Sequence, residues 1–141
     1  MASLPIHTII VGINDYPKHG ILKSAVKDAT AFSKVLQELQ GSNPGQNVIL
    51  TDSQATKEGI LEAIKNVARD AKRQDAFVFF FSGYAAQATV DNAQAGIICP
   101  HDIDTVGGIS DVDLLQAFDN VSRSRGNNIV NHFHVTEYSQ R

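Results

Sequence analysis

Short continuous apolar runs alternate along this chain with longer segments in which apolar residues recur every three or four positions. The continuous runs predict β-strands at 8–13, 47–51, 76–81 and from 129 onward. The run at 76–81 is the most hydrophobic, which is typical of a central strand covered on both faces. A hairpin return arm is predicted after it, at 96–99. The periodic segments predict helices within 22–39, 60–71 and 114–121.

Two of these predicted helices carry N-terminal capping signals. Thr56 precedes the second helix, and Ser110 with Asp113 forms an S-x-x-D pattern ahead of the third. The resulting order, β-α-β-α-β-hairpin-α-β, predicts an α/β fold in which a mostly parallel sheet lies between helices on both faces. The chain has 141 residues, 43% of them hydrophobic, enough for a core without a disulfide or metal. We expect one domain spanning 1–141.

The charge balance restricts the class of partner. Twelve Lys and Arg against 15 Asp and Glu give a net charge of −3. This argues against nucleic acid or an anionic membrane as the main partner, because phosphate binding needs a basic excess. The single cysteine, Cys99, excludes an intrachain disulfide and fits a reducing compartment. With no apolar run of about 20 residues and no signal-peptide layout, we expect a cytoplasmic protein.

Five motifs stand out along the chain, and two of them, at 81–87 and 99–104, lie in loops at the carboxyl ends of strands, where such sheets carry function. They are V-G-I-N-D-Y-P at 11–17, L-K-S-A-V-K-D-A at 22–29, F-S-G-Y-A-A-Q at 81–87, C-P-H-D-I-D at 99–104 and G-I-S-D at 108–111. Together they resemble the caspase-like cysteine peptidases of family C14, and within them the metacaspase branch, from about Ile9 to Val130. The resemblance implies a three-layer αβα caspase-type sandwich, in agreement with the layout predicted from periodicity.

The resemblance also locates the catalytic positions, and both carry side chains unsuited to the family's chemistry. The family's central strand ends in F-S-G-H-G-x-Q with the His as base, and here that position is Tyr84. The nucleophilic Cys corresponds to Thr136, about 50 residues further on, as in caspases. A phenol with a pKa near 10 has almost no base form at neutral pH, and a hydroxyl is a far weaker nucleophile than a thiolate. The backbone amide of Ala85 keeps the capacity to donate to an oxyanion.

These positions lead to two functional hypotheses. The first is a non-catalytic domain, a pseudopeptidase that acts through protein–protein binding and regulates cell-death or stress proteolysis, a setting implied by the resemblance alone. The alternative is a cysteine-type endopeptidase with basic-residue specificity that takes its nucleophile from a partner chain or from Cys99, near His101. An inert, buried thiol is the competing interpretation of Cys99. No cofactor is required by either hypothesis, and neither nucleotide-binding glycine motif occurs in the chain.

The family's substrate pocket and calcium site map here only in part. Asp28 matches one acidic pocket residue, while the second corresponds to His134; a solvated helix carboxylate is the competing interpretation of Asp28. The resemblance also implies calcium ligation near three aspartates, as an optional ligand, although Val112 replaces one member of the usual Asp-Asp pair. These aspartates are Asp102, Asp111 and Asp113. Carboxylates in the first turn of a helix equally complement its dipole.

The last residues depart most from the family. Residues 131–141 form a divergent tail, either an ancestral strand or a replaced segment, and its His132 and His134 have the i, i+2 spacing of a weak metal-ligand pair. We expect the chain to stop at about the fourth sheet strand, leaving an open edge that templates pairing with another chain. The expected partner is therefore a protein, either a second copy or an active caspase-like relative.

Overall fold

A computed structural model describes residues 5–40, 45–70, 75–90, 92–114, 116–117 and 129–140. Its strands are β1 (Ile6–Gly12), β2 (Asp15–Tyr16), β3 (Gly20–Ile21), β4 (Asn47–Thr51), β5 (Ala76–Val90), β6 (Ala93–Ile98), β7 (Ile109–Ser110) and β8 (Ile129–Gln140). Its helices are α1 (Ala25–Gln40), α2 (Lys57–Asp70) and α3 (Ile103–Val106), with a short 3-10 turn at Asp52–Gln54. Residues 111–114 and 116–117 are also helical.

The main sheet is organised around β5. Strand β1 runs parallel to β4 and to the first half of β5, while β6 runs antiparallel to the second half of β5 and also pairs with β7. Strand β8 runs parallel to β5 along its other edge. The predicted α/β fold, with a mostly parallel sheet and a hairpin, is confirmed. A second, two-stranded sheet joins β2 to β3.

Helices cover both faces of this sheet, as the alternation of strand side chains requires. On one face, Phe32 of α1 stacks on Phe80 of β5, with ring centroids 4.4 Å apart, and both join Ile10 in one buried cluster. On the other face, α2 packs into the larger core. Its buried residues there are Ile60, Ala63, Ile64 and Val67. This arrangement is the three-layer sandwich expected from the sequence.

The predicted caps are present. Thr56 accepts the amide of Gly59 on its hydroxyl oxygen at 3.0 Å. Ser110 and Asp113 cap reciprocally: the Ser110 hydroxyl accepts the Asp113 amide at 3.0 Å, and the Asp113 carboxylate accepts the Ser110 amide at 3.2 Å. Helix α1 has a cap that the sequence did not reveal, because Asn14 Oδ1 accepts the Val26 amide at 3.1 Å.

Two local predictions were wrong. The central strand does not end at Phe81 but runs to Val90, because β6 and β8 supply backbone partners that keep its small residues extended. Leu39, the last of the periodic apolar residues that predict the first helix and its buried face, is 74% exposed. Gln40 turns towards the sheet instead, where its side-chain oxygen accepts the Gly45 amide at 2.7 Å.

Within the described residues, each helix is too short or too polar to traverse a lipid bilayer.

Candidate functional site

A cavity of about 520 Å³ lies where the β2–β3 hairpin faces the hairpin formed by β5 and β6. The two hairpins and the α3 segment supply its walls. The lining residues are Tyr16, Lys18, His19, Gly20, Tyr84, Ala86, Gln87, Ile97, Cys99, Ile103 and Asp104. It therefore includes both Tyr84 and Cys99, two positions that the sequence marks as candidates for chemistry.

A buried phenol, Tyr16, organises this region. Its hydroxyl donates to the carbonyl oxygen of Cys99 at 2.8 Å and accepts the backbone amide of Tyr84 at 3.0 Å. Burial raises the pKa of Tyr16 well above its ordinary value, against the smaller lowering effect of the bond from the Tyr84 amide. The hydroxyl thus stays protonated and joins β2, β5 and the end of β6. Its role was not predicted, although Tyr16 lies within the first motif.

The same hydroxyl explains the glycine that precedes Tyr84. A Cβ built on Gly83 would lie 2.5 Å from the Tyr16 hydroxyl oxygen and 3.0 Å from Cζ of Phe81. A Cβ atom cannot lie 2.5 Å from the Tyr16 hydroxyl oxygen unless the side chain or the backbone shifts. Gly83 is therefore required by close approach of a neighbouring side chain.

Tyr84, which the resemblance matches to the family's catalytic His, is held by the β2–β3 turn. Its hydroxyl donates to the carbonyl oxygen of His19 at 3.1 Å, and its ring lies 4.7 Å from that of Tyr16 at an angle of 54°. Gly20, which follows His19, has φ +97°, a conformation natural for glycine. The Tyr84 phenol is thus a donor fixed on a backbone carbonyl, which is the opposite of a general base.

The backbone register places Thr136 beside Tyr84. Gly83 pairs with Val135 and Tyr84 with Glu137, so Thr136 occupies the irregularity between these two pairs. The side chains of Thr136, His132 and His134 lie outside the described part of the chain.

Ala85 has strand partners on both sides, Ile98 of β6 and Tyr138 of β8. An amide enclosed between paired strands is a poor oxyanion donor, since that role needs an N–H that faces the reacting atoms.

Cys99 is a buried thiol rather than a poised nucleophile. It is 7% exposed, and burial, followed by the negative charge of Asp104, raises its pKa to about 11. Nucleophilic cysteines have lowered pKa values, because a nearby cation stabilises the thiolate. Among the described residues, no hydrogen bond connects the Cys99 sulfur to an imidazole, and the backbone amide of nearby His101 is bound to the Ala55 carbonyl oxygen at 2.9 Å.

One ion pair and one exposed cation border the cavity. His19 and Asp104 are 2.7 Å apart through Nε2 and Oδ1 and are about a quarter exposed, so this pair links the β2–β3 turn to α3. Lys18 is exposed beside them. In the part of the chain that the structure describes, Lys18 forms no ion pair.

The structure places the aspartates that the resemblance assigns to the substrate pocket or to calcium as follows. Asp28 lies in the first turn of α1 and does not line the cavity. Asp102 accepts the Lys57 amide at 2.9 Å, and Asp113 caps the helix that begins at Asp111. Calcium needs six to eight oxygen ligands. Across the described ranges, no three His, Cys, Asp or Glu side chains gather as metal ligands.

The motifs contain much of the cavity wall, but the sequence did not reveal the charged residues at its rim. Lys18 and His19 lie in the β2–β3 turn and Asp104 lies in α3, and the sequence assigned none of the three a role at the site. Ile97 was predicted as part of a hairpin arm but without a role at the site. These residues meet because the β2–β3 turn folds against α3, a contact between segments more than 80 positions apart.

Comparisons with known proteins agree with this architecture. Residues 7–130 match the family model described as the metacaspase, peptidase C14 domain. Similar relatives include Metacaspase-1 of Sclerotinia sclerotiorum and Metacaspase-1B of Aspergillus oryzae. Each is 31% identical over 117 residues that cover 75% of this chain, and 27% and 28% of the respective relative.

A crystal structure of a protein from Geobacter sulfurreducens shares the fold, with a TM-score of 0.75 and 19% identity over 93% of this chain and 50% of that one. The chain spans about a quarter of the length of the curated relatives it matches. Since the family model covers most of its residues, this chain belongs to the metacaspase peptidase C14 family.

Proposed function

We propose that this metacaspase-family domain does not cleave peptides and acts by binding another protein. The observation that carries the proposal is the state of Tyr84. At the position where the family places an imidazole base, a phenol donates to the His19 carbonyl oxygen. Such a group has no lone pair of sufficient basicity to accept a proton from a nucleophile at neutral pH.

The peptidase alternative draws no support from Cys99. A thiol with a pKa near 11 has only about one part in several thousand as thiolate at pH 7.5, and the protonated form is not the nucleophile. The Cys99 carbonyl oxygen also accepts a hydrogen bond from the buried Tyr16 hydroxyl at the end of the β5–β6 hairpin. We therefore assign Cys99 a structural role in the core.

A protein-binding role fits what the chain retains. The core and the helix caps of the sandwich are intact, so the domain can fold and offer a binding surface. Neither Tyr84 nor Cys99 supports peptide cleavage. Among the described strands, β8 pairs only with β5, and a strand edge without a partner can accept a further strand. We propose a second copy of this chain as the occupant of that edge.

The decisive experiment for the first part is a reporter assay. The protein is incubated with fluorogenic peptides that end in Arg or Lys, with and without calcium, beside an active metacaspase as the positive control. We expect no turnover above buffer, and equal signals from Cys99→Ala and Thr136→Ala. Turnover that disappears in either variant would establish an enzyme and overturn the proposal.

Self-pairing is tested by sedimentation at increasing concentration. Successive amides along a strand point to opposite sides, so one of His132→Pro and Phe133→Pro removes an outward amide and the other an amide of the β5–β8 ladder. We expect a concentration-dependent dimer, abolished without loss of folding by the outward variant. A monomer at every concentration would exclude the second copy.

A further inference from the structure

We propose that the cavity between the two hairpins receives an aromatic side chain of a partner protein, with a carboxylate of that partner seated on Lys18. The proposal rests on the binding role proposed above and names the chemistry of the ligand. It is carried by the shape of the cavity, by its apolar walls and by the distribution of charge at its rim.

The dimensions suit one bulky side chain with its neighbours. Protein sites for small groups enclose roughly 300–1,000 Å³, and this cavity encloses about 520 Å³. Its walls combine the partly exposed Tyr84 ring with three apolar side chains: Ala86, Ile97 and Ile103. A flat ring can lie against Tyr84 in the offset or edge-to-face arrangements that aromatic pairs prefer.

The aromatic wall is held in place before any ligand arrives. Tyr16 packs behind Tyr84 at 4.7 Å, and both phenols are hydrogen-bonded to backbone carbonyl oxygens, of Cys99 and His19 respectively. A wall that does not need to be ordered on binding loses less entropy. The site is therefore preorganised for a ring.

The charges at the rim of the cavity favour a negatively charged group on the partner beside its aromatic ring. Asp104 is engaged by the His19 imidazole at 2.7 Å, whereas the exposed Lys18 has no ion-pair partner among the described residues. Gln87, also exposed, adds an amide donor at the rim. An anion is thus the complementary group, and on a protein segment that anion is Asp, Glu or a terminal carboxylate.

The experiment uses peptides and the intact chain labelled with nitrogen-15. The probes are Ac-Ala-Phe-Glu-Ala-NH₂, its Gln version without the carboxylate, and Ac-Ala-Ala-Glu-Ala-NH₂ without the ring. We expect the first to shift the amides of Gly20, Gln87 and Ile103 in a saturable manner. We expect the Gln version to bind about threefold more weakly, as for an exposed charge pair, and the peptide without the ring not to bind measurably.

Matched variants locate the interaction. Lys18→Ala is expected to lower the affinity of the Phe-Glu peptide to that of the Phe-Gln peptide and to leave the latter unchanged. Lys23→Ala, an exposed lysine outside the cavity, is the control and should change neither affinity. Ala86→Leu narrows the cavity and should weaken both Phe peptides, with folding verified by the unperturbed amides of α2.

Three results would overturn the proposal: shifts that map away from the cavity, equal affinities for the Glu and Gln peptides, or phenylacetate binding as tightly as the Phe-Glu peptide. The last would assign the cavity to small aromatic acids instead of a protein partner. Reporter turnover would remove the non-catalytic function but would not alter these shifts, so the two proposals fail separately.

Discussion

The hydroxyl of Tyr16 donates a 2.8 Å hydrogen bond to the carbonyl oxygen of Cys99, 83 positions further along the chain. The same oxygen atom of Tyr16 accepts the amide of Tyr84. One buried hydroxyl thereby joins both hairpins that form the cavity. The stability of the site should depend on this atom more than on any catalytic position.

Removing that atom provides the first prediction. In Tyr16→Phe, the Tyr84 amide and the Cys99 carbonyl lose their partner, and each buried unsatisfied group costs about 1–3 kcal/mol. We expect a loss of about 2–3 kcal/mol in the free energy of unfolding, measured by urea denaturation. Tyr84→Phe is the matched control: it removes the hydrogen bond from the partly buried Tyr84 hydroxyl to the His19 carbonyl oxygen, and about 1 kcal/mol is expected. Equal losses would contradict the central role of Tyr16.

The second prediction concerns the close approach of Gly83 to Tyr16. Gly83→Ala places a methyl group 2.5 Å from the Tyr16 hydroxyl oxygen, and we expect destabilisation by about 2 kcal/mol from overpacking. In the Tyr16→Phe background the hydroxyl is absent, so the same substitution should cost measurably less. Gly96→Ala, where a Cβ meets nothing within 4 Å, should change stability by less than about 0.5 kcal/mol. Additive losses in the double variant would refute the contact.

The third prediction follows from the raised pKa of Cys99, about 11 against an ordinary 9.0. Because the folded state favours the neutral thiol, the stabilisation it contributes is complete below pH 9 and is lost as pH rises from about 9 to 11. Iodoacetamide labelling of the folded protein should accelerate about tenfold per pH unit from pH 7 to 10. Asp104→Asn should speed labelling, since the carboxylate charge raises this pKa. A rate that is already maximal near pH 7 would reveal a reactive thiolate and support the enzyme alternative.

The fourth prediction compares two histidine–carboxylate pairs of equal length. His7 and Asp75 are 2.7 Å apart with side chains only 7% and 6% exposed, and His7 Nδ1 also accepts the Gln46 amide. His7→Phe should therefore cost about 3 kcal/mol, because it leaves buried polar groups without this partner. His19→Ala breaks the partly exposed pair with Asp104 and should cost less than about 1 kcal/mol. Thermal unfolding of both variants at pH 7 measures the difference; a larger loss for His19→Ala would contradict it.

Local periodicity predicted most of the fold. The order of strands and helices and the caps at Thr56 and Ser110 depend on residues within a few positions of one another, so they were predictable from the sequence. The motifs from Val11 to Asp111 likewise predicted the family, and the resemblance implies a His where one of those motifs has Tyr84. The extension of β5 past Phe81 was not predictable, because small residues remain extended there only where β6 and β8 supply backbone partners.

By itself, the sequence determined the order of the elements and the family, because each is carried by neighbouring residues, and it showed a tyrosine at position 84, where the resemblance implies a histidine. Tertiary structure alone decided the cavity, the anchoring of Tyr84 on His19 and the raised pKa of Cys99. Each of these depends on contacts between residues far apart in the sequence, such as the hydrogen bond from the Tyr16 hydroxyl to the Cys99 carbonyl oxygen. Local sequence patterns do not predict such contacts.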